Sequence, residues 1–271
     1  MSDDQISILT ADFRKSKLLK MDEYEEFKKY LKTKIRGLKT VDGILSSMYV
    51  FQKERPELLE LDELVLKQLN EWKKEDLLKL ISLRSIIRQP NVKINRASSF
   101  RLQSIKEEFK VDEIKTCFLS YATLSYNDEE LFTRLLNDLN SQIDDDVILN
   151  TDQFHNIILS IGMMGLRHES LLNKICNHLV LNKQKYPNSL LSNFITSCGN
   201  VNFSPENIDK LIAELNINQF KFEDDASAIR FLNLTLALCQ LEKPNRIFIE
   251  TVLSEKFWSK LLSGKSPRTE F

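Results

Sequence analysis

The segment DEIKTCFLSYATLSYNDEELF (112–132) recurs forty residues later as DQFHNIILSIGMMGLRHESLL (152–172), matched position for position in apolar pattern without a gap. Ile114, Cys117, Phe118, Tyr121 and Ala122 stand at i, i+3, i+4, i+7 and i+8, one face of a helix. Phe154, Ile157, Ile158, Ile161 and Gly162 hold the same offsets. A second helix follows in each copy, with Leu131, Phe132, Leu135, Leu136 and Leu139 in one and Leu171, Leu172, Ile175, Cys176 and Leu179 in the other. A helical hairpin cannot bury such stripes alone, so a chain that repeats it must stack the copies side by side.

Further copies extend the pattern. NSLLSNFITSCGNVNFSPENIDKLIAEL opens a third at Asn188, with Ser204 expected to cap its second helix and Pro205 to begin it. A fourth runs from Ser227 through Ile229, Leu232, Leu236 and Ala237 and continues from Ile247. Upstream, stretches from Asp42 and Asp76 have the right length and order, and Asp112, Asp152 and Asn188 stand where short polar side chains cap free backbone N–H groups. Starts at 42, 76, 112, 152, 188 and 227 are 34, 36, 40, 36 and 39 residues apart. The predicted fold is all-α, an α-solenoid of helical hairpins with a period of about 34–40 residues. Residues 1–40, with YEEFKKYLKTKI, are read as an N-terminal helical cap, 41–262 as the solenoid closed by FWSKLL, and 263–271 as a disordered tail.

Composition agrees with helices: 28% of residues are charged, 42% are apolar, and there are only 6 Gly and 6 Pro. The formal net charge of −1 provides no global field for a polyanion or a membrane, so any such site must be a local patch. Cys117, Cys176, Cys198 and Cys239 lie far apart with no C-x-x-C, as in a reducing compartment, and three fall on apolar helix positions. There is no run of 18 apolar residues, so membrane insertion is not expected. MSDDQ is acidic and resembles neither a secretory signal nor a transit peptide.

Motifs for catalysis are not found. GKS at 264–266 ends like a phosphate loop, but Ser259 stands where that loop requires glycine. No Gly-rich nucleotide loop, H-R-D or D-F-G is present. His155, His168 and His178 form no metal-binding pair and are expected on the surface; Cys176 and His178 would need two distant ligands. The DDD triplet (144–146) lacks the EF-hand spacing and reads as a polar loop, and Met163 and Met164 read as core filling. No enzyme, cofactor, metal or small-molecule substrate is expected.

One stretch breaks the charge balance. From Leu77 to Lys106 the chain carries Lys79, Arg84, Arg88, Lys93, Arg96, Arg101 and Lys106 and no Asp or Glu. One reading is a solvated face with salt bridges to ELLELDE (57–63). The other is a basic hairpin that follows a phosphate backbone, with Phe100 available to stack on bases. The N-terminal cluster from Arg14 to Lys39 is interrupted by Asp22, Glu23, Glu25 and Glu26.

The copies at 112–132 and 152–172 resemble the helical repeats of the FAST-kinase-domain (Fas-activated serine/threonine kinase) proteins, which run from a small-residue helix through "L-x-Y-x-x-E-x-L" into a second helix. The resemblance covers roughly residues 40–255 and is clearest over 112–215. It implies a non-catalytic RNA-binding protein that affects the stability, processing or translation of mitochondrial transcripts; joined to the basic stretch, the expectation is an α-solenoid that binds single-stranded RNA with the seven cations above as phosphate contacts. It also implies a mitochondrial location, although no targeting segment is visible. Family members carry a C-terminal RAP domain for which nothing after residue 255 leaves room, so a fragment or short variant is expected. The alternative is a HEAT-like scaffold for protein partners. The two separate on whether the cations line one groove or are neutralised by Glu57, Glu60, Asp62 and Glu63.

Overall fold

The computed structural model describes residues 2–16, 22–143, 150–220 and 224–263. These hold fifteen α-helices and no strand. The chain opens with α1 (Asp3–Ser16) and α2 (Asp22–Lys34), and hairpins follow as α3 (Val41–Val50) with α4 (Arg55–Gln68), then α5 (Lys74–Ile87) with α6 (Val92–Ser104). Next come α7 (Val111–Thr123) with α8 (Glu129–Gln142), α9 (Thr151–Met164) with α10 (Glu169–Leu181), and α11 (Asn188–Asn200) with the short α12 (Ile208–Ile212). α13 (Asp225–Gln240), α14 (Arg246–Val252) and α15 (Glu255–Ser263) complete the described chain.

Two compact units are present: Met1–Glu108 with Leu119–Arg134, and Phe109–Phe118 with Leu135–Phe271. In the first, α1 packs on α3, α3 on α5 and α4 on α6. In the second, α9, α11 and α13 pack in series while α10 packs on α12. First helices therefore stack on first helices and second on second, the α-solenoid arrangement that the repeat predicts. The repeated apolar offsets are the core: Ile114, Cys117, Phe118 and Tyr121, like Phe154, Ile157, Ile158 and Ile161, are buried.

Small residues set the spacing of the first-helix layer in the second unit. A Cβ on Gly162 would lie 2.9 Å from Ser197 Cα, and one on Gly199 would lie 2.7 Å from Ala237 Cα. Neither glycine is there for a left-handed backbone; both allow helices to approach more closely than side chains permit.

The hairpin turns share one device. Ser125, Gly165, Asn202 and Glu242 follow α7, α9, α11 and α13 with φ of 50°, 66°, 49° and 59°. The residue after each sends its N–H back five positions, from Tyr126 to Tyr121 (3.0 Å), Leu166 to Ile161 (3.0 Å), Phe203 to Cys198 (3.1 Å) and Lys243 to Leu238 (2.8 Å). This is the Schellman closure, which satisfies carbonyls at the helix end. Only one copy uses glycine, so three turns accept the steric cost of a Cβ in the left-handed region.

Helix starts differ from the sequence reading by one to four residues. Asn150 caps α9 and accepts from Asp152 N–H, so Asp152 lies in the first turn rather than at the cap. Thr40 caps α3 ahead of Asp42. Asp224 caps α13, with Ser227 its partner in a capping box. Asn188 is the first residue of α11, after Pro187. Ser204 and Pro205 precede a turn, and α12 begins only at Ile208. Asp and Ser suit the first turn of a helix as well as its cap, so composition alone does not separate the two positions. Residues 144–146 and 264–271, which include the DDD triplet, the GKS sequence and nearly all of the expected tail, lie outside the described residues.

Two substitutions test this geometry in opposite directions. Gly199→Ala is expected to destabilise by roughly 1–3 kcal/mol, because the added methyl meets Ala237 backbone. Gly37→Ala, with open space around its Cβ, serves as the control. Glu242→Gly is expected to stabilise by about 1 kcal/mol by removing the left-handed strain. Thermal denaturation followed by circular dichroism reads all three; an unchanged midpoint for Gly199→Ala would show that the helices can move apart freely.

Candidate nucleic-acid interface

The basic stretch spans α5, its turn and α6, and the structure separates its seven cations into distinct environments. Arg84 continues the buried stripe of α5 after Leu77, Leu80 and Ile81, and is only 2% exposed. Its Nη1 donates to Asp62 Oδ1 at 3.1 Å, within α4. Asp62 Oδ2 accepts from Asn91 Nδ2 at 2.6 Å, while Asn91 Oδ1 accepts from the N–H groups of Lys93 and Ile94 as the cap of α6. Burial pushes the Asp62 carboxyl above its ordinary value and the Arg84 guanidinium below its own, against the attraction of the pair. Arg84 is thus an anchor inside the fold, which corrects its reading as a phosphate contact: an arginine with no access to solvent cannot reach a backbone phosphate.

Lys79 is exposed but pairs with Asp42 at 3.2 Å. Arg101 is half-buried, donates to Ser104 Oγ at 2.8 Å and lines a cleft with Trp72, Glu75 and Glu107. Four cations remain on the surface. Arg88, in a left-handed conformation with φ of 52°, closes α5; Lys93 and Arg96 lie on α6; Lys106 follows α6. Among the described residues none of these four is ion-paired.

α6 turns one face outward. Lys93, Arg96 and Phe100 fall within an arc of about 60° at 100° per residue. Phe100 is 71% exposed, an unusual position for a phenylalanine. The opposite face, with Ile94, Asn95, Ser98, Ser99 and Leu102, is buried. Contacts fix it along its length: Ser98 Oγ lies 3.1 Å from Tyr121 Oη, Asp128 accepts from Ser99 (2.7 Å) and Gln103 (2.6 Å), and the Arg134 guanidinium caps the carbonyls of Gln103 (2.8 Å) and Glu107 (2.7 Å). The stripe is therefore presented by a rigid helix bonded at its start, middle and end.

The acidic run at 57–63 leaves this stripe alone. Glu57 pairs with Lys32, Glu54 with Lys28, and Glu60 with Arg36 at 3.3 Å, so these carboxylates face the cations of α2 and its end. Of the seven stretch cations, only Arg84 is met from 57–63, through Asp62. Chemically, the arrangement is an electropositive stripe with a ring available for stacking, suited to a single-stranded polyanion.

A family model for the RNA-editing substrate-binding complex 6 protein, RESC6, matches residues 39–237. The chain belongs to the RESC6 family. That match encloses α3–α12 and most of α13, and so the whole of the α6 stripe. Among curated proteins none matches the chain in sequence. RESC6 is an RNA-associated family, in agreement with the RNA reading at that level; the match is not to the FAST-kinase-domain family that residues 112–132 and 152–172 resemble.

Other sequence expectations in this RESC6-family chain are also resolved. Cys117, Cys176 and Cys198 are buried and Cys239 is exposed. Burial pushes the Cys176 thiol up to about 12 and raises the Cys198 thiol well above its usual value, so neither is a thiolate at neutral pH. His178 is fully buried with Nε2 2.8 Å from Tyr186 Oη, a correction to its surface reading. The repeat places it beside Cys176 and Leu179, and tyrosine supplies the polar partner that lets it enter the core. His168 is half-buried and caps α10, accepting from Leu171 N–H at 3.1 Å. Met163 is 71% exposed rather than core filling. No cluster of metal-binding side chains occurs among the described residues, and no described helix is long and apolar enough to cross a membrane.

The anchor makes its own prediction. Asp62→Ala leaves Arg84 buried without its counter-charge and is expected to cost about 3–5 kcal/mol, whereas Asp62→Leu with Arg84→Met recovers most of the loss. Comparing thermal midpoints of the single and double variants checks it; a double variant that loses the sum of what Asp62→Leu and Arg84→Met lose alone would mean that the pair acts independently.

Proposed function

We propose that this protein is a non-catalytic RNA-binding helical-repeat protein that holds single-stranded RNA on the outer face of α6 and acts on mitochondrial transcripts in their editing, processing, stability or translation. The observation that carries the reading is the stripe of Lys93, Arg96 and Phe100, exposed, unpaired and flanked by Arg88 and Lys106. Unpaired cations release counterions from a phosphate chain, and an exposed ring stacks on an unpaired base. The name of the family, an RNA-editing substrate-binding complex protein, supports RNA as ligand and other proteins as partners. The mitochondrial setting is supported by the resemblance of residues 112–132 and 152–172 to FAST-kinase-domain repeats. A non-catalytic role is supported by the Cys176 and Cys198 thiols, held protonated in the core, and by His168 and His178, engaged in a helix cap and in packing.

Fluorescence anisotropy of the purified chain with a labelled single-stranded RNA, across a salt series, tests this. Lys93→Gln with Arg96→Gln is expected to lower the salt slope by about 1.4, from about 0.7 per phosphate contact on a single strand. Phe100→Ala is expected to weaken binding about tenfold with little change of slope. Arg84 is left intact because its loss would disturb the fold. Absence of binding at low salt by the folded protein, or variants that bind like the parent, would sink the proposal.

A further inference from the structure

The first-helix layer of the second unit carries a groove of about 620 Å³ between α9, α11 and α13. Its floor is α11, where Ser189, Ser192, Asn193, Thr196 and Asn200 recur at helical spacing along one face. α13 contributes Arg230 and Asn233, both exposed, and α9 contributes His155 and Met163. Lysine, aspartate and glutamate are absent from the lining residues; its charge comes from Arg230. In a chain with 28% charged residues, a groove that crosses three helices with no carboxylate among its lining residues is selective about what it admits.

The hydrogen-bonding state of these groups narrows the ligand. Ser192 Oγ donates to Asn188 carbonyl at 3.0 Å, Thr196 Oγ1 to Ser192 carbonyl at 2.9 Å, and Ser197 Oγ to Ile158 carbonyl at 2.8 Å. Their protons are occupied, which leaves oxygen lone pairs as acceptors. Asn193 Nδ2 lies 3.2 Å from His155 Nδ1. With Nδ2 donating, His155 carries its proton on Nε2 and Asn193 retains Oδ1 as an acceptor. The groove thus combines uncharged donors and acceptors in neighbouring positions, the chemistry that reads the edges of unpaired bases. Flat apolar surface is also present: Met163 is exposed, and Phe220 enters the lining while its ring packs on Phe231 and Phe248 at 5.0 and 5.7 Å.

We infer that this groove is a nucleobase-reading site, in which amides and hydroxyls of α11 and α13 hydrogen-bond base edges of single-stranded RNA while Arg230 meets a phosphate. The inference rests on the RNA reading above and adds to it a second site with a different role. The α6 stripe supplies affinity that is indifferent to sequence; the groove supplies discrimination between bases. Charge complementarity chooses RNA over a peptide as occupant: the lining holds one cation and no carboxylate, and Asp224, which interacts electrostatically with Arg230, belongs to the cap of α13 rather than to the lining. The RESC6 match reaches residue 237 and includes all the groove residues named.

The closing experiment measures anisotropy of the full chain with short labelled homopolymers of each of the four bases and with an abasic ribose-phosphate strand. The parent is expected to rank the bases and to bind the abasic strand at least tenfold more weakly than its preferred homopolymer. Asn193→Ala with Asn233→Ala is expected to reduce the spread among bases to within about twofold while the salt slope stays unchanged; Asn200→Ala with Asn233→Ala, which alters exposed residues only, repeats the test if Asn193→Ala disturbs the fold. Lys93→Gln with Arg96→Gln is expected to do the reverse, weakening all strands alike and preserving their ranking. Binding that is equal for all strands, or a ranking that survives both groove variants, overturns the inference while leaving RNA binding intact and points to a polypeptide as the groove's occupant. No binding of any strand overturns both readings together.

Discussion

A helix of thirteen or fourteen residues does not hold itself together in water, because nucleation is costly and one turn of hydrogen bonds recovers little of it. Most helices here are of that length, and several are shorter. Each survives by laying an apolar stripe on a neighbour, which needs a neighbour in turn. This dependence explains why the same offsets recur at Tyr121 and Ile161, and why glycine occurs at 162 and 199, where a methyl group would force adjacent helices apart. It also determines what is left for binding. A stacked helix has used one side in packing, and its chemistry towards other molecules is confined to the opposite side.

That division separates the two surfaces by residue type. On α6 the outward side is Lys93, Arg96 and Phe100, while on the buried side Ile94 and Leu102 are aliphatic and Ser98 and Ser99 are tied by hydroxyl hydrogen bonds. On α11 the outward side is amide and hydroxyl, while Leu190, Leu191, Phe194 and Ile195 are buried. A cation is a poor choice for reading a base among alternatives, since its attraction to phosphate is the same everywhere along the strand. An amide is a poor choice for holding the strand, since in water it gains little over solvent. In the proposed binding of RNA, two chemistries on two helices resolve a conflict that one surface would not.

Much of the fold was legible because apolar periodicity survives sequence change. The copies at 112 and 152 define the hairpin, and the weaker copies at 42, 76, 188 and 227 fall in helices at the expected period. Turns were less legible. A Schellman closure normally announces itself by glycine, yet Ser125, Asn202 and Glu242 occupy that position here, and no propensity scale nominates glutamate for a left-handed residue. α1 is less legible because its sequence is mostly polar; it is held by packing on α3 and by Asp3, which accepts from the N–H groups of Lys39 and Thr40 at 2.8 Å each. Such a contact across 36 residues has no local signature.

The candidate site shows the same limit more sharply. Counting charge between Leu77 and Lys106 finds the basic stretch but treats its seven cations as equivalent. The signal that separates Arg84 from the others was nevertheless present: Leu77, Leu80, Ile81 and Arg84 stand at i, i+3, i+4 and i+7, so the arginine occupies a stripe position. A cation on an apolar stripe requires a buried acid, and Asp62 follows Leu61 and precedes Val65 on the buried side of α4. Periodicity applied to polar residues as well as apolar ones therefore distinguishes the cation that builds the fold from those that face outward. For α11 the reverse holds. Its Ser, Asn and Thr residues look like ordinary helix-surface filler, and only the packing of α9 and α13 on either side makes a groove of them.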